Sequence, residues 1–224
     1  MNFNEHLELQ GRHAQFSPSQ SSWLRYDDNK LVVTYLNRNR KVLGTELHDF
    51  ANSQILLSQK QKNVKEMINS INTFIFAKYK SLDQIDYGKI LISSMKELPE
   101  GIFDTLKLFI NDAIGFKMTS EQPLEYSKRF FGTTDAIAFR NNFLRIHDFK
   151  SGDGKADFEQ LLIYVALFCL EYKIKPADIQ IECRIYQYGE ARCYEPSVDE
   201  IVPIIDKIVI SEKILESRVK EEEM

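Results

Sequence analysis

The sequence is poor in cysteine and contains neither a long apolar run nor a secretion signal. Its three cysteines, Cys169, Cys183 and Cys193, are too few and too scattered for a disulfide framework or a four-thiolate cluster, so we expect them to be buried as small apolar residues. No apolar run approaches the roughly 20 residues that cross a bilayer. The stretch MNFNEHLELQGRH lacks the basic start and apolar centre of a secretory signal. We therefore expect a cytoplasmic protein with no membrane partner.

The composition also lacks an excess of basic charge. The formal net charge is -4 and 28% of the residues are charged, so any phosphate-binding face would have to be local. With 224 residues, 43% of them hydrophobic, the chain can fill one core well and two only marginally. It contains no internal repeat and no low-complexity block. We expect a single domain over residues 1–224.

The first half of the chain carries helical signals. Ser17 followed by Pro18 is typical of a helix start, and Thr45 after Gly44 predicts the cap of a helix over ELHDFANSQILLSQ. Apolar residues recur at helical spacing in NVKEMINSINTFIFAKY and IFDTLKLFINDAIGF. These signals predict a helical region over about 15–116.

The pattern changes to strands from about residue 117. The segments QPLEYS, GTTDAIAFR and FLRIHDFK alternate and are rich in β-branched or aromatic residues. Helical spacing returns in KADFEQLLIYVALFCLEY, and DIQIECRIYQ is typical of a further strand. Ser197 with Glu200 three residues later predicts a capped final helix. The order predicts an α/β fold with a mixed central β-sheet flanked by helices: sheet and crossover helix over about 117–190, closing helix over about 197–220.

A pair of asparagines between Arg140 and Phe143 predicts a two-residue hairpin turn, because asparagine tolerates positive φ. Across such a turn the numbers of facing residues have a constant sum, which places Asp135 opposite Asp148. The two-residue period of a strand puts Lys150 on the same face as Asp148. The hairpin therefore gathers two carboxylates and an amine into one patch.

This patch has two interpretations. Facing residues have Cβ atoms about 4.5–5.5 Å apart, so two carboxylates there repel each other, and a divalent metal with oxygen ligands is a usual compensation. The alternative is a solvated ion-pair cluster at the end of the hairpin. Leu144 and Ile146 lie on the face of the charges, whereas Phe143 and Phe149 point the other way. We therefore expect the strand to be covered on both sides, which favours the metal site.

Four stretches, in order, give the chain a resemblance to a known family: GTELH at 44–48, GTTDAI at 132–137, DFKSG at 148–152 and QLLIY at 160–164. Together they resemble the PD-(D/E)xK nuclease superfamily, in its RecB-like and phage-exonuclease branch. The upstream FSPSQSSWLRY is similar to the opening of phage members. The resemblance implies a restriction-endonuclease-like core and a Mg²⁺- or Mn²⁺-dependent deoxyribonuclease of the phage exonuclease type, acting on DNA ends in recombination or repair.

The resemblance also implies roles for individual residues. His48, which we place in the first turn of its helix, would be a metal ligand together with Asp135 and Asp148. Lys150 would be the lysine of the acid-x-lysine motif. The accessory glutamine and tyrosine of the family match Gln160 and Tyr164, whose i, i+4 spacing puts both on one helix face.

Further candidates lie around these motifs. Either Glu121 or Glu125 could add a carboxylate on a neighbouring strand, and we choose Glu121 as a fourth metal ligand; an exposed charge at a strand edge is the alternative. Basic residues that could contact phosphates near the site are Lys128, Arg129, Arg140 and Lys155, although a solvated surface explains them equally well. His147 alternates to the opposite face from Asp148, so we expect a structural role for it.

The resemblance leaves several alternatives open. Some relatives hold an iron–sulfur cluster on four cysteines, which three cysteines cannot supply, so no such cluster is expected. The activity could be that of a structure-specific endonuclease, or the chain could be a silent nuclease-like interaction module, although both acids and the lysine are intact. Besides DNA, a partner could be a single-strand annealing protein. Similar exonucleases form homo-oligomers that enclose DNA, so the resemblance also allows a homo-oligomer. The expected location is the cytoplasm of a bacterium or of a phage host.

Overall fold

The computed structural model of the chain describes residues 18–222, with side chains for residues 22–217. Ser17, the predicted first cap, lies outside the described residues. In this range the structure is α/β, with a helical N-terminal region. The α-helices are α1 (Asp28–Leu56), α2 (Val64–Ser81), α3 (Ile85–Ser94), α4 (Ile102–Gly115), α5 (Glu159–Tyr172) and α6 (Val198–Glu222). The strands are β1 (Thr119–Ser127), β2 (Phe130–Arg140), β3 (Phe143–Phe149), β4 (Gln180–Gln187) and β5 (Glu190–Tyr194).

The five strands form one mixed sheet in the order β1-β2-β3-β4-β5. All neighbours are antiparallel except β3 and β4, which are parallel. Parallel neighbours need a crossover connection, and α5 supplies it. The predicted mixed sheet with a crossover helix is therefore confirmed. No helix among residues 18–222 combines the length and apolar content that a membrane span requires.

The hairpin between β2 and β3 has the predicted turn and register. Asn141 and Asn142 have φ values of 51° and 58°, as a type I′ turn requires. Pairing runs from Arg140 opposite Phe143 to Ala136 opposite His147. Continued by one more pair away from the turn, this register places Asp135 opposite Asp148.

Apolar layers cover both faces of the sheet. One cluster joins α1, α2 and α4 to the sheet and includes Phe149 and Tyr186. The other joins α5 and α6 to the opposite face and includes Leu144 and Ile146. The prediction that β3 is covered on both sides is confirmed. Because polar groups at the end of this strand have little access to water, they must find partners within the protein.

The prediction that a helix starts at Thr45 is wrong. Helix α1 begins at Asp28, where the Asp27 carboxylate caps it by accepting from the Lys30 amide at 2.7 Å. Thr45 lies inside α1 and its hydroxyl donates to the Lys41 carbonyl. Packing of the buried α1 residues against the core overrides the local Gly-Thr signal. His48 therefore lies deep in a long helix and not in a first turn.

A buried ion cluster joins α1 to α2. The carboxylate of Glu46, only 2% exposed, accepts from the Lys78 ammonium at 2.8 Å and from the Tyr79 hydroxyl at 3.0 Å. Lys78 also donates to Asp49 at 2.7 Å. These contacts fix the rotation of α1 about its own axis, because Glu46 cannot turn away without leaving a buried charge unpaired.

Other local predictions have mixed outcomes. The capping box of α6 is confirmed, since the Ser197 amide donates to the Glu200 carboxylate at 2.9 Å. The sequence signals did not predict α3 or β5. Cys169 and Cys183 are buried as expected, but the expectation is wrong for Cys193, which is exposed on β5. That short strand lies at the edge of the sheet, where none of the described strands pairs with its outer side.

Candidate metal centre

Three of the predicted metal ligands lie together where α1 meets β1 and β2. One ligand atom from each of His48, Glu121 and Asp135 lies within 4.8 Å of the other two. The imidazole Nδ1 of His48 is 3.4 Å from Asp135 Oδ1. One imidazole nitrogen and two carboxylate oxygens form a donor set that divalent cations accept.

Glu121 enters this group through an unusual backbone conformation. The pairing of β1 with β2 runs from Ser120 opposite Ala136 to Gln122 opposite Thr134, so Glu121 faces Asp135. Its φ is 49°, in the left-handed region, where a non-glycine residue costs about 1–3 kcal/mol. Strain of this kind persists at functional sites where the surroundings hold it in place. Seven other described non-glycine residues also have positive φ, so the conformation supports a role for the exposed Glu121 carboxylate only together with its place in the ligand group.

This strain leads to a prediction about two variants. Glu121→Gly is expected to be more stable than Glu121→Ala by about 1 kcal/mol, because glycine adopts positive φ without a steric cost. Both variants lose the carboxylate, so both are expected to bind Mn²⁺ several-fold more weakly than the wild type. Urea unfolding and titration calorimetry with Mn²⁺ measure the two effects. Equal stability of the variants would contradict the strain, and unchanged Mn²⁺ affinity would contradict the ligand role.

Asp148 lies next to this group but is not one of the three close ligands. Its carboxylate is buried, and Lys150 Nζ lies 3.1 Å from Oδ1 and 3.0 Å from Oδ2. Oδ2 is thus ion-paired with Lys150, although it accepts no aligned hydrogen bond. A divalent cation bound nearby would add to the single charge of Lys150 and offset the repulsion from Asp135.

Lys150 is held by a chain of polar contacts that reaches α5 and β2. Its ammonium donates to Gln160 Oε1 at 2.7 Å, and Gln160 Nε2 donates to the Tyr164 hydroxyl at 3.2 Å. Tyr164 in turn donates to the Thr133 carbonyl at 2.7 Å. The structure thus connects the predicted lysine, glutamine and tyrosine directly, and it fixes the position of the ammonium beside Asp148.

Two glycines permit the close contacts between these elements. A Cβ on Gly132 would lie 2.8 Å from Cε1 of the Tyr164 ring, and one on Gly44 would lie 2.7 Å from the Ser151 hydroxyl. Real Cβ contacts are not that short. Gly132 therefore lets α5 approach β2, and Gly44 lets α1 approach the loop after β3. Each glycine lies in one of the sequence stretches that carry the family resemblance.

The electrostatics of the centre show an excess of negative charge. Burial and the charge of Asp135 raise the pKa of Glu121. Burial lowers the pKa of His48, but its contact with Asp135 and the nearby carboxylate charges outweigh burial, and the net shift is upward. Burial, followed by the charge of Asp135, raises the pKa of Asp148 to about 6, even though Lys150 opposes the shift. Added positive charge would relieve both of these carboxyl groups.

The centre opens into a cavity of about 670 Å³ along α1. Arg40 and Lys41 line it together with His48 and the loop after β3. Lys41, Thr45 and His48 have the i, i+4, i+7 spacing of one helix face. Sequence reasoning missed the two basic residues because it started the helix at Thr45. Interpreting RNRKVLGTELH as one continuous helix would have placed Lys41 on the face of His48.

The other predicted residues lie away from the three close ligands. Arg129 donates to Glu212 of α6 at 2.8 Å, and Arg140 donates to the Lys117 carbonyl at 2.7 Å. Lys155 is exposed in the loop between β3 and α5. His147 is fully buried on the other side of β3, where its Nδ1 contacts the Tyr186 hydroxyl at 3.0 Å. Burial and two nearby arginines lower the pKa of His147 to about 3, so it is neutral there.

The comparisons with known proteins return no match to a family model, a curated protein or a solved structure. What the centre can bind is therefore argued from the chemistry of its own side chains. Its imidazole and its carboxylates fit a hard divalent cation such as Mg²⁺ or Mn²⁺. His48, Glu121 and Asp135 would hold the ion, with Asp148 as the adjacent carboxylate.

Proposed function

We propose that the chain is a Mg²⁺- or Mn²⁺-dependent deoxyribonuclease with a restriction-endonuclease-like core of the PD-(D/E)xK type, acting as an exonuclease on DNA ends. One observation carries the proposal. The Lys150 ammonium is held between Asp148 and Gln160, and the Asp148 carboxylate lies close enough to Asp135 and His48 of the ligand group to feel their charges. A fixed cation next to a divalent-ion site is suited to a reaction in which a phosphate gains negative charge.

The chemistry needed is hydrolysis of a phosphodiester, whose negative charge repels a nucleophile. A bound divalent ion would polarise the phosphate and lower the pKa of a coordinated water. Lys150 would orient the attacking water or neutralise charge on the phosphate as the bond breaks. Gln160 and Tyr164 keep that ammonium in place through their hydrogen bonds. No covalent enzyme intermediate is required.

The cavity along α1 is lined by carboxylates, Asp49, Glu121, Asp135 and Asp153, and by two basic residues; with a divalent ion bound at the carboxylates, the basic residues would be available to a polyanionic substrate. Arg40 lies eight residues from His48, about 12 Å along the helix. With Lys41 it places two cations in the cavity that also contains the proposed ion site. Contacts of this kind with phosphates give affinity that falls steeply with salt and does not depend on base sequence. These two residues are better placed to meet phosphates near the ion than Arg129, which is already paired with Glu212.

The proposal is tested with linear duplex DNA and covalently closed circular DNA of the same sequence. In the presence of Mg²⁺ or Mn²⁺, the purified chain is expected to digest the linear form progressively and to leave the circle intact. Excess chelator should stop digestion, and added Mn²⁺ should restore it. Gel electrophoresis with end-labelled strands measures the products.

The remaining outcomes of this cleavage assay distinguish the alternatives. Cutting of the closed circle would replace the exonuclease proposal by the endonuclease alternative. A folded protein that cuts neither form with either ion would leave a silent nuclease-like module. A homo-oligomer and a single-strand annealing partner stay predictions, which light scattering and co-purification can test.

A further inference from the structure

A second cavity, of about 480 Å³, lies between the first two strands of the sheet and the end of α5. The residues that matter for its chemistry are Lys117, Gln122, Phe139, Arg140, Phe168 and Tyr172. Phe139 lies four residues from Asp135 along β2, about 13 Å at the rise of a strand. The groove is thus separate from the ion site but within reach of the same bound polymer.

The groove has the charge of an anion-binding site. Lys117 and Arg140 line it, and no carboxylate does so within the described residues, although the whole chain has a net charge of -4. Arg140 donates to the Lys117 carbonyl at 2.7 Å, which holds its guanidinium beside the groove. The other N–H groups of that guanidinium can still bind an anion.

The same groove exposes aromatic rings. Tyr172 is 49% exposed and Phe139 36% exposed. Both rings pack on buried Phe168, with centroid distances of 4.9 Å and 5.1 Å, so their positions are fixed. Exposed rings of fixed position beside cations suit a ligand that has both a planar aromatic part and an anionic part. A nucleotide has this chemistry.

We propose that this groove binds one nucleotide of an unpaired DNA strand, with its base against Tyr172 and Phe139 and its phosphate near Lys117 and Arg140. A base in a duplex stacks on both of its neighbours, so a protein ring can contact it only after it leaves the stack. The ligand is therefore single-stranded at this position. Only the connection between the groove and the ion site rests on the proposed function. If that function holds, one DNA strand would occupy the groove and the ion site together and would extend beyond the point of cleavage.

Binding is measured first, in chelator, so that cleavage plays no part. Fluorescence anisotropy of labelled oligothymidylate is expected to show about tenfold weaker binding for Tyr172→Ala, and weaker binding with a smaller salt dependence for Arg140→Gln. The control is Phe76→Ala, which removes a ring of similar exposure, 40%, from α2 and should leave the affinity unchanged. Photo-crosslinking of an oligonucleotide containing 5-iodouracil should label the peptides that contain Phe139 or Tyr172.

Two results would overturn the proposal. One is a Tyr172→Ala affinity equal to the wild type, as expected if the groove holds an apolar peptide of a partner protein. The other is crosslinking confined to peptides outside the groove. Absence of cleavage with any ion would instead refute the nuclease proposal. The binding measurement would still test the groove, because it is made in chelator and does not depend on cleavage. If cleavage occurs, the wild type is expected to digest DNA with long single-stranded tails faster than DNA with short ones, and Tyr172→Ala should lose this difference.

Discussion

Lys150→Ala is expected to lower the rate of DNA cleavage by about 10²–10³-fold or more, leaving no measurable digestion of linear DNA. The ammonium is the cation held between Asp148 and Gln160, and no water can reproduce its charge. Asp148→Ala should have a similar effect, because it removes the carboxylate that positions the same ammonium. Single-turnover assays with end-labelled DNA and saturating Mn²⁺ measure the loss.

The loss must be separated from unfolding. Lys89→Ala is the matched control, since Lys89 forms an exposed ion pair with Asp86 on α3 and should cleave at the wild-type rate. Lys150→Arg retains the charge but changes its geometry, so it is expected to fold like the wild type and to recover only part of the activity. Circular dichroism and thermal unfolding establish the fold of each variant. Near wild-type cleavage by Lys150→Ala would refute the assigned role.

Asp148→Asn is expected to increase the stability of the ion-free protein at pH 7 while cleavage is lost. The pKa of Asp148 is raised from 3.8 to about 6 in the folded state. Between these values the folded chain binds a proton that the unfolded chain does not, so wild-type stability falls as the pH rises from about 4 to 6. Asparagine has no charge and avoids this fall. The gain should be about 1–3 kcal/mol above pH 6 and should vanish near pH 4.

Urea unfolding of both proteins at several pH values between 4 and 7, in chelator, measures this difference. Asp86→Asn, which changes a carboxylate that is 93% exposed, is the matched control for replacing an aspartate by asparagine. Added Mn²⁺ is expected to stabilise the wild type more than Asp148→Asn, because a bound cation compensates the buried charge. An Asp148→Asn variant that is less stable than the wild type at pH 7 would contradict the excess of negative charge at the centre.

The hairpin shows which structural features could be predicted from the sequence. Two asparagines suffice for the turn, and the turn determines the register from Arg140 to Ala136. The proximity of Asp148, Lys150 and the α5 side chains follows from this local chemistry. By contrast, the continuation of α1 through Gly44 and Thr45 depends on the burial of side chains on either side of them, from Asn39 to Ile55, which a local Gly-Thr signal does not reveal.

The remaining features of the centre depend on contacts between distant segments. A left-handed Glu121 has no sequence signal, because glutamate rarely adopts positive φ and only the surrounding strands hold it there. Arg40 and Lys41 were missed for the same reason as the start of α1. The groove at Tyr172 combines residues from two strands and a helix. The sequence around each of these residues carries no signal of its role, because the residues that contact it come from distant segments and meet it only in the folded chain.

The ion cluster around Glu46 has a consequence for genetics. Lys78 belongs to α2, yet its bonds to Glu46 and Asp49 anchor the helix that carries His48. A change at Lys78 frees α1 to roll and so moves an imidazole that it never touches. In a screen for mutants that lose the proposed activity, changes at Lys78 are therefore expected beside changes at the proposed ion site, although Lys78 is not one of its ligands.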